Sequence, residues 1–302
     1  MERNTAKRTL EKLLSVCICL CMLGAMLPAQ VFAEEADTAQ TETVQDTAPK
    51  DTVYLSSADD LIQLAKNCRL DSWSQNRTVV LEADINLSGV DFNGIPSFGG
   101  TWEGQNHAIT GLSLSQDGSV QGLFRYVQQG ALVRDMTVKG RIKPGGTRAS
   151  VGGIAGSNAG TIENCAFDGV VSGTSQIGGI AGVNTVKGSI NGCTVSGTVY
   201  GSHFVGGVVG QNDGVAANCT NAASVNTTVS QNEVKLNDLT LDDVLKTEKA
   251  NDVTDAGGIA GNNAGVLRAC INRGTIGYSH IGYNVGGIAG SQTGYVEGCV
   301  NY

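Results

Sequence analysis

Val151-Gly-Gly-Ile-Ala-Gly-Ser-Asn-Ala-Gly-Thr-Ile-Glu-Asn-Cys165 decides the fold, because its pattern is written five times. The copies start at Val151, Ile177, Val205, Ala256 and Val285. Their second glycines, Gly153, Gly179, Gly207, Gly258 and Gly287, are separated by 26, 28, 51 and 29 residues. A period in the twenties is the period of a solenoid or array.

Within each copy the residue types hold their places. Two residues after the glycine that follows the Asn stand Ile162, Ile190, Ala216, Leu267 and Val296; five after it stand Cys165, Cys193, Cys219, Cys270 and Cys299. Short alternating apolar runs between Gly/Asn punctuation are strand signals, and no copy holds a run long enough for a crossover helix. The expected fold is therefore all-β: a β-helix, each copy one coil of short strands stacked on the next in parallel.

The fixed positions have physical readings. The Gly-Gly pair lets backbone pack closely or take a positive φ at a corner. Asn158, Asn184, Asn212 and Asn263, with Gln292 in the fifth copy, suit either a turn or an amide ladder up the solenoid, or a row that holds a sugar or ion. The five cysteines are expected to point inward as a stack of free thiols. Strand neighbours are ~4.8 Å apart, wider than the Cβ separation of about 3.5–4.5 Å in a disulfide, and Cys is a good small hydrophobe. Disulfides are the alternative that an even count of six mature cysteines invites. No CxxC supports zinc, so no cofactor and no metal are expected.

A degenerate copy precedes the five: Gly122-Leu-Phe124, Gly130-Ala-Leu132, Met136 in the place of Cys, then Gly140 and Ile142. The repeats are thus assigned to 120–302, with a polar, Gly-free insertion at 226–255 after Val225. Thr240-Leu-Asp-Asp243 within it has the form of a capping box, so the insertion reads as a projecting loop with one short helix. It is either a binding element or a tolerated interruption. Residues 52–119 are expected to hold an N-terminal cap and the first coils. Ser57-Ala-Asp-Asp60 opens an apolar stripe, Leu61, Ile62, Leu64, Ala65 and Cys68, that predicts a capping helix of about 12 residues. Thr78–Leu81, Asp84–Leu87 and His107–Ile109 follow as the first strands.

The N-terminus is of another kind. Arg3, Lys7, Arg8 and Lys12 precede the apolar run Leu13–Leu27 and Val31-Phe-Ala33, the layout of a secretory signal peptide over 1–33. The run is too short for a spanning helix. Residues 34–51, rich in Thr, Glu, Asp and Gln, read as a disordered linker. The full chain has 20 Lys+Arg and 28 Asp+Glu; without residues 1–33 these become 16 and 26, net −10. Such a balance disfavours a nucleic-acid partner, which needs a basic face. Glycine is 42 of 302 residues without a G-X-Y period, which excludes collagen.

With these residues in place, the chain resembles the GLUG-motif family of bacterial secreted and cell-surface proteins over about 120–302. The matching residues are Val151-Gly-Gly-Ile-Ala-Gly156, Asn158, Gly160, Ile162, Asn164-Cys165 and the four later copies. The upstream Leu61-Ile-Gln-Leu-Ala65, Leu81–Leu87 and Thr101-Trp-Glu-Gly-Gln-Asn-His107 resemble the segment that often opens such β-helices. The resemblance implies a right-handed parallel β-helix, displayed outside the cell in adhesin-like proteins and some peptidases, and it implies no catalytic residues. The last copy ends three residues past Cys299, where earlier copies continue, which suggests the remainder of a longer chain.

Chemistry is sparse. His107, His203 and His280 form no H-E-x-x-H, and no G-x-S-x-G is present. A β-helix polysaccharide lyase or hydrolase would need three or more carboxylates and a Lys or Arg on one exposed face. Asp84, Asp91 and Glu103 are near one another in sequence, and Glu163 and Glu297 share a register with Asn191, Ala217 and Arg268. Tyr200, His203, Phe204, Tyr278, His280 and Tyr283 fall at the corner before the Gly-Gly pair, as a ligand strip or as corner packing. The expected function is a secreted or cell-surface, non-catalytic β-solenoid scaffold or adhesin-like module, its partner a host or cell-surface protein or glycan. The glycan-cleaving enzyme and the purely structural spacer are the alternatives.

Overall fold

The computed structural model describes residues 50–226, 254–277 and 283–302. Among these the chain is a parallel β-solenoid of about seven turns with a single short helix. One coil shows the plan. Ala149–Gly152, Ala155–Asn158, Thr161–Glu163 and Ala166–Ser172 are four strands separated by tight corners. Each pairs in parallel with its counterpart one coil on: Ser175–Gly178, Ala181–Asn184, Ser189–Asn191 and Thr194–Tyr200. Repetition builds four sheets. We call them the Gly-Gly sheet (five strands), the Asn sheet (seven), the charged sheet (nine) and the long-strand sheet.

Register follows the repeat. Ala155, Ala181, Val209, Ala260 and Ala289 form one column, and Ile162, Ile190, Ala216, Leu267 and Val296 another. The degenerate copy joins in the same register, with Phe124 beside Ala155, Val133 beside Ile162 and Val138 beside Phe167. Met136, at the Cys position, is buried. The early coils are filled by large rings: Trp102 meets Phe98 and Phe124 edge-on or nearly so, with centroids 6.1 and 5.2 Å away. Later coils are filled by Val, Ala and Cys, so a low aromatic content still closes the core.

The Gly-Gly pair is explained by close approach and not by backbone handedness, since neither glycine of the pair has a positive φ in any copy. A Cβ on Gly153 would overlap the Phe167 ring; on Gly179, Val195; on Gly207, Asn221; on Gly258, Asn272. The second glycine therefore makes room for the side chain that crosses the core from the long-strand sheet. The left-handed corner lies elsewhere. Asp135, Asn164, Gly192, Asn218, Ala269 and Gly298, each just before the Met/Cys column, have φ between 50° and 63°. Asn, Asp and Gly are the residues that tolerate this region.

The helix α1 spans Ala58–Asn67, two residues shorter than expected, with Ser57 as its N-cap. The Ser57 hydroxyl accepts from the Asp60 amide at 3.2 Å and donates to the Asp60 carboxylate at 2.7 Å, and that carboxylate also accepts from the Ser56 amide at 3.1 Å, a variant of the capping box. Leu61, Leu64 and Cys68 bury against the first coil. The boundaries shift in two places. Lys50 and Asp51, expected in the linker, begin the first strand, Lys50–Leu55. Asn226 and Asp255, expected as the ends of the insertion, belong to the coil: Asn226 is buried and accepts from the Gly201 amide at 2.9 Å, and Asp255 lies in the strand Thr254–Gly257. The expected signal peptide over 1–33, the rest of the expected linker, and residues 227–253 of the insertion lie outside the described residues. No helix among the described residues is long and apolar enough to cross a membrane.

Candidate functional site

Asn158, Asn184, Asn212 and Asn263 end their strands with side chains wholly buried. None has a positive φ, so the left-handed reason for Asn does not apply, but the local one does: Asn158 accepts from the Gly160 amide at 3.2 Å, and Asn158, Asn212 and Asn263 each donate to the carbonyl two residues on. Each carboxamide donates to the next: Asn158 to Asn184 at 2.8 Å, Asn184 to Asn212 at 2.8 Å, Asn212 to Asn263 at 2.7 Å, and Asn263 to Gln292 at 3.0 Å. The second N–H proton reaches corner carbonyls, as from Asn184 to Val215 at 3.1 Å. Every amide thus works within the core, and the geometry leaves no row of Asn groups facing a sugar or ion.

A second ladder escapes the sequence reading. Asn221 donates to Asn272 at 2.8 Å and Asn272 to Asn301 at 2.7 Å, in the register where earlier coils carry Phe167 and Val195. Its signal is the spacing Cys219-Thr-Asn221, Cys270-Ile-Asn272 and Cys299-Val-Asn301, which only the last three copies share. These Asn side chains also accept from the Ala223 and Gly274 amides, at 2.9 and 3.2 Å, and so close a turn inside what was one long strand.

The cysteines are unpaired. Cys165, Cys193, Cys219 and Cys270 are buried and Cys299 is half-buried. Each donates weakly to a backbone carbonyl, Cys193 to Asn191 at 3.4 Å and Cys219 to Ala217 at 3.1 Å. The thiols of Cys193, Cys219 and Cys270 stay protonated above the ordinary range. For Cys193 the leading cause is the neighbouring Cys165 thiol, with burial adding to it; for Cys219 it is Cys193, and for Cys270 it is Cys219. A thiol so held is neither nucleophile nor metal ligand. No group of three or more His, Cys, Asp or Glu among the described residues is placed to hold a metal.

The corner aromatics are only partly gathered. Tyr200 ends its strand, and His203 and Phe204 begin the next; all three are half-buried. Phe204 has a φ of 51°, an uncommon conformation for a bulky residue. Tyr283 pairs with Thr254 in the Gly-Gly sheet, while Tyr278 and His280 lie outside the described residues.

Carboxylates do gather on the outer face of the charged sheet. Glu103, Arg134, Glu163, Asn191, Ala217, Arg268 and Glu297 form one column. Arg134 grips Glu103 with two bonds of 2.7 and 2.9 Å, and lies 3.7 Å from Asp135 and 3.8 Å from Glu163. Arg268 meets Glu297 at 2.9 Å. Asp84 accepts from the Ala108 amide at 2.8 Å and stands 3.1 Å from His107, which lower its pKa in that order. Three carboxylates and an Arg thus share one face, but the Arg is committed to them as a fork on a carboxylate.

No family profile matches the chain, and no solved structure matches it. Among curated proteins, halomucin of Haloquadratum walsbyi is similar: 32% identical over 93 residues, 30% of this chain. That stretch spans about 1% of the halomucin length.

Proposed function

We propose that this chain is a secreted or surface-displayed, non-catalytic β-solenoid module of the GLUG-motif kind, serving as a scaffold or adhesin-like element within a larger protein. One observation carries the reading. The repeated residues face inward and hold coil to coil, so what the repeat produces is a stiff, extended outer surface. Binding to a host or cell-surface protein or glycan would then fall where the repeat is broken, at the corner around Tyr200, His203 and Phe204 or in the insertion. The signal-peptide layout of residues 1–33 supports export. The test is expression of the full chain in a bacterial host, with fractionation and a glycan and cell-binding panel. Export together with binding that is lost on deleting residues 227–253, or on replacing Tyr200 and His203, supports the module. Retention in the cytoplasm overturns export, and an exported protein that binds nothing is the structural spacer.

The glycan-cleaving alternative is favoured by one feature, the Glu103–Arg134–Asp135–Glu163 group. It predicts bond cleavage in acidic polysaccharides that Glu163→Gln abolishes. A chain that leaves such polymers intact excludes it.

A further inference from the structure

We infer that the gap beside Gln121 is a binding site for a uronic acid residue, its carboxylate held by Arg125 and its hydroxyls by side-chain amides.

The gap follows from the topology. The Asn sheet runs two coils further toward the N-terminus than the Gly-Gly sheet, whose first strand is Ala149–Gly152. In the coil before that strand the chain passes as a loop, and only Gln121 bridges to Val151. A side of the solenoid that is closed in later coils is open here. The opening is a pocket of about 110 Å³ lined by Asn93, Leu114, Gln116, Asp117, Gln121 and Arg125.

Gln121 is the unexpected residue. Its column continues as Val151, Ile177, Val205 and Ala256, all inward, apolar and at most 1% exposed. Gln121 is itself only 4% exposed. Its backbone is satisfied, donating to Ser150 at 3.2 Å and accepting from Gly152 at 2.9 Å. Its carboxamide makes no hydrogen bond to a described residue and faces the pocket. The carboxamide end therefore meets the solvent of the pocket, at a position where every later coil places an apolar side chain in the core. Two glycines lie against the same side chains. A Cβ on Gly118 would overlap the Gln121 amide nitrogen, and one on Gly145 would overlap the Asp117 carboxylate.

The lining selects the ligand. Arg125 is half-buried, steadied by its Nε donating to the Val120 carbonyl at 3.1 Å, and makes no ion pair among the described residues. Its free guanidinium edge is a carboxylate fork. Asn93, Gln116 and Gln121 each offer a donor and an acceptor, the pairing that vicinal hydroxyls need. Asp117 accepts one more hydroxyl; being exposed, it would gain little from an ammonium group, which favours a sugar acid over an amino acid. The inference requires neither surface display nor the insertion.

The test titrates the full chain with glucuronate and galacturonate, and with glucose, galactose and glutamate, reading backbone amide shifts by NMR. Saturable shifts confined to residues around 93 and 114–125 are expected for at least one uronate. Gln121→Val, which places the residue of the later coils at this position, should fold normally and bind at least tenfold more weakly, as should Arg125→Gln. The inference is overturned by the absence of saturable shifts with both uronates, by equal binding of the neutral hexoses or glutamate, or by Gln121→Val that folds and binds unchanged.

Discussion

Replacing Asn212 by Ala probes the ladder at its middle. The Asn212 carboxamide accepts from Asn184 at 2.8 Å and donates to Asn263 at 2.7 Å and to the Val266 carbonyl at 3.2 Å. The substitution removes two ladder bonds at about 1 kcal/mol net each. It also leaves the Asn263 oxygen buried without that donor, at about 1–3 kcal/mol. Asn184 retains its bonds to Gly188 and Val215, at 3.3 and 3.1 Å, so its amide is not orphaned. The expected destabilisation is about 3–5 kcal/mol, read as a lower denaturation midpoint by circular dichroism at constant m-value. Gln292→Ala is the control: it removes one bond at an exposed position, and less than about 1 kcal/mol is expected. An Asn212→Ala protein within about 1 kcal/mol of the parent would refute the view that the ladder holds the coils together.

Other outcomes follow from the same geometry. Ala269 is a non-Gly, non-Asn residue in the left-handed corner, with φ 50°; Ala269→Gly should raise stability by about 0.5–1 kcal/mol, strain relieved minus entropy lost, while Gly192→Ala at φ 63° should lower it. Gly207→Ala would drive a Cβ into the Gly258 carbonyl and the Asn221 carboxamide, and a loss of about 3 kcal/mol is expected in thermal or urea melts. Thiol-reactive probes with peptide mapping should label Cys299 first and leave Cys193 and Cys219 untouched until unfolding. Stability should decline as pH rises above 9. The unfolded thiols ionise from their ordinary 9.0, whereas burial holds Cys68 protonated up to about 11, so the folded state binds more protons in that window and loses stability as pH rises through it. Cys68→Ala should make that decline shallower without removing it, since the thiols of Cys193, Cys219 and Cys270 are raised too.

The coil was legible because it needs the same residue at the same place in every turn. Period, strand type and the Cys column all follow from that need; the helix start at Ser57 was legible separately, from its local capping pattern. Two features were open until the coil was seen in three dimensions. The Gly-Gly pair had two physical readings, and only the crossing side chains, Phe167, Val195 and Asn221, choose between them. The left-handed corner was hidden because Asp135, Asn164, Gly192, Asn218 and Ala269 share a conformation and not a residue type. Site chemistry was less legible for the same reason. Gln121 departs from a column that pairing alone defines, and Arg134 reaches Glu103 across 31 positions of sequence.

The most direct test of the account is hydrogen exchange of the Asn side-chain amides, resolved by NMR. The Nδ2 protons of Asn184 and Asn212 should exchange as slowly as the backbone amides of Ile180 and Val208, which bond to Val208 and Ile259 in the next coils. Side-chain amides that exchange freely while those backbone amides stay protected would contradict an inward ladder, and with it the assignment of the repeat to scaffold.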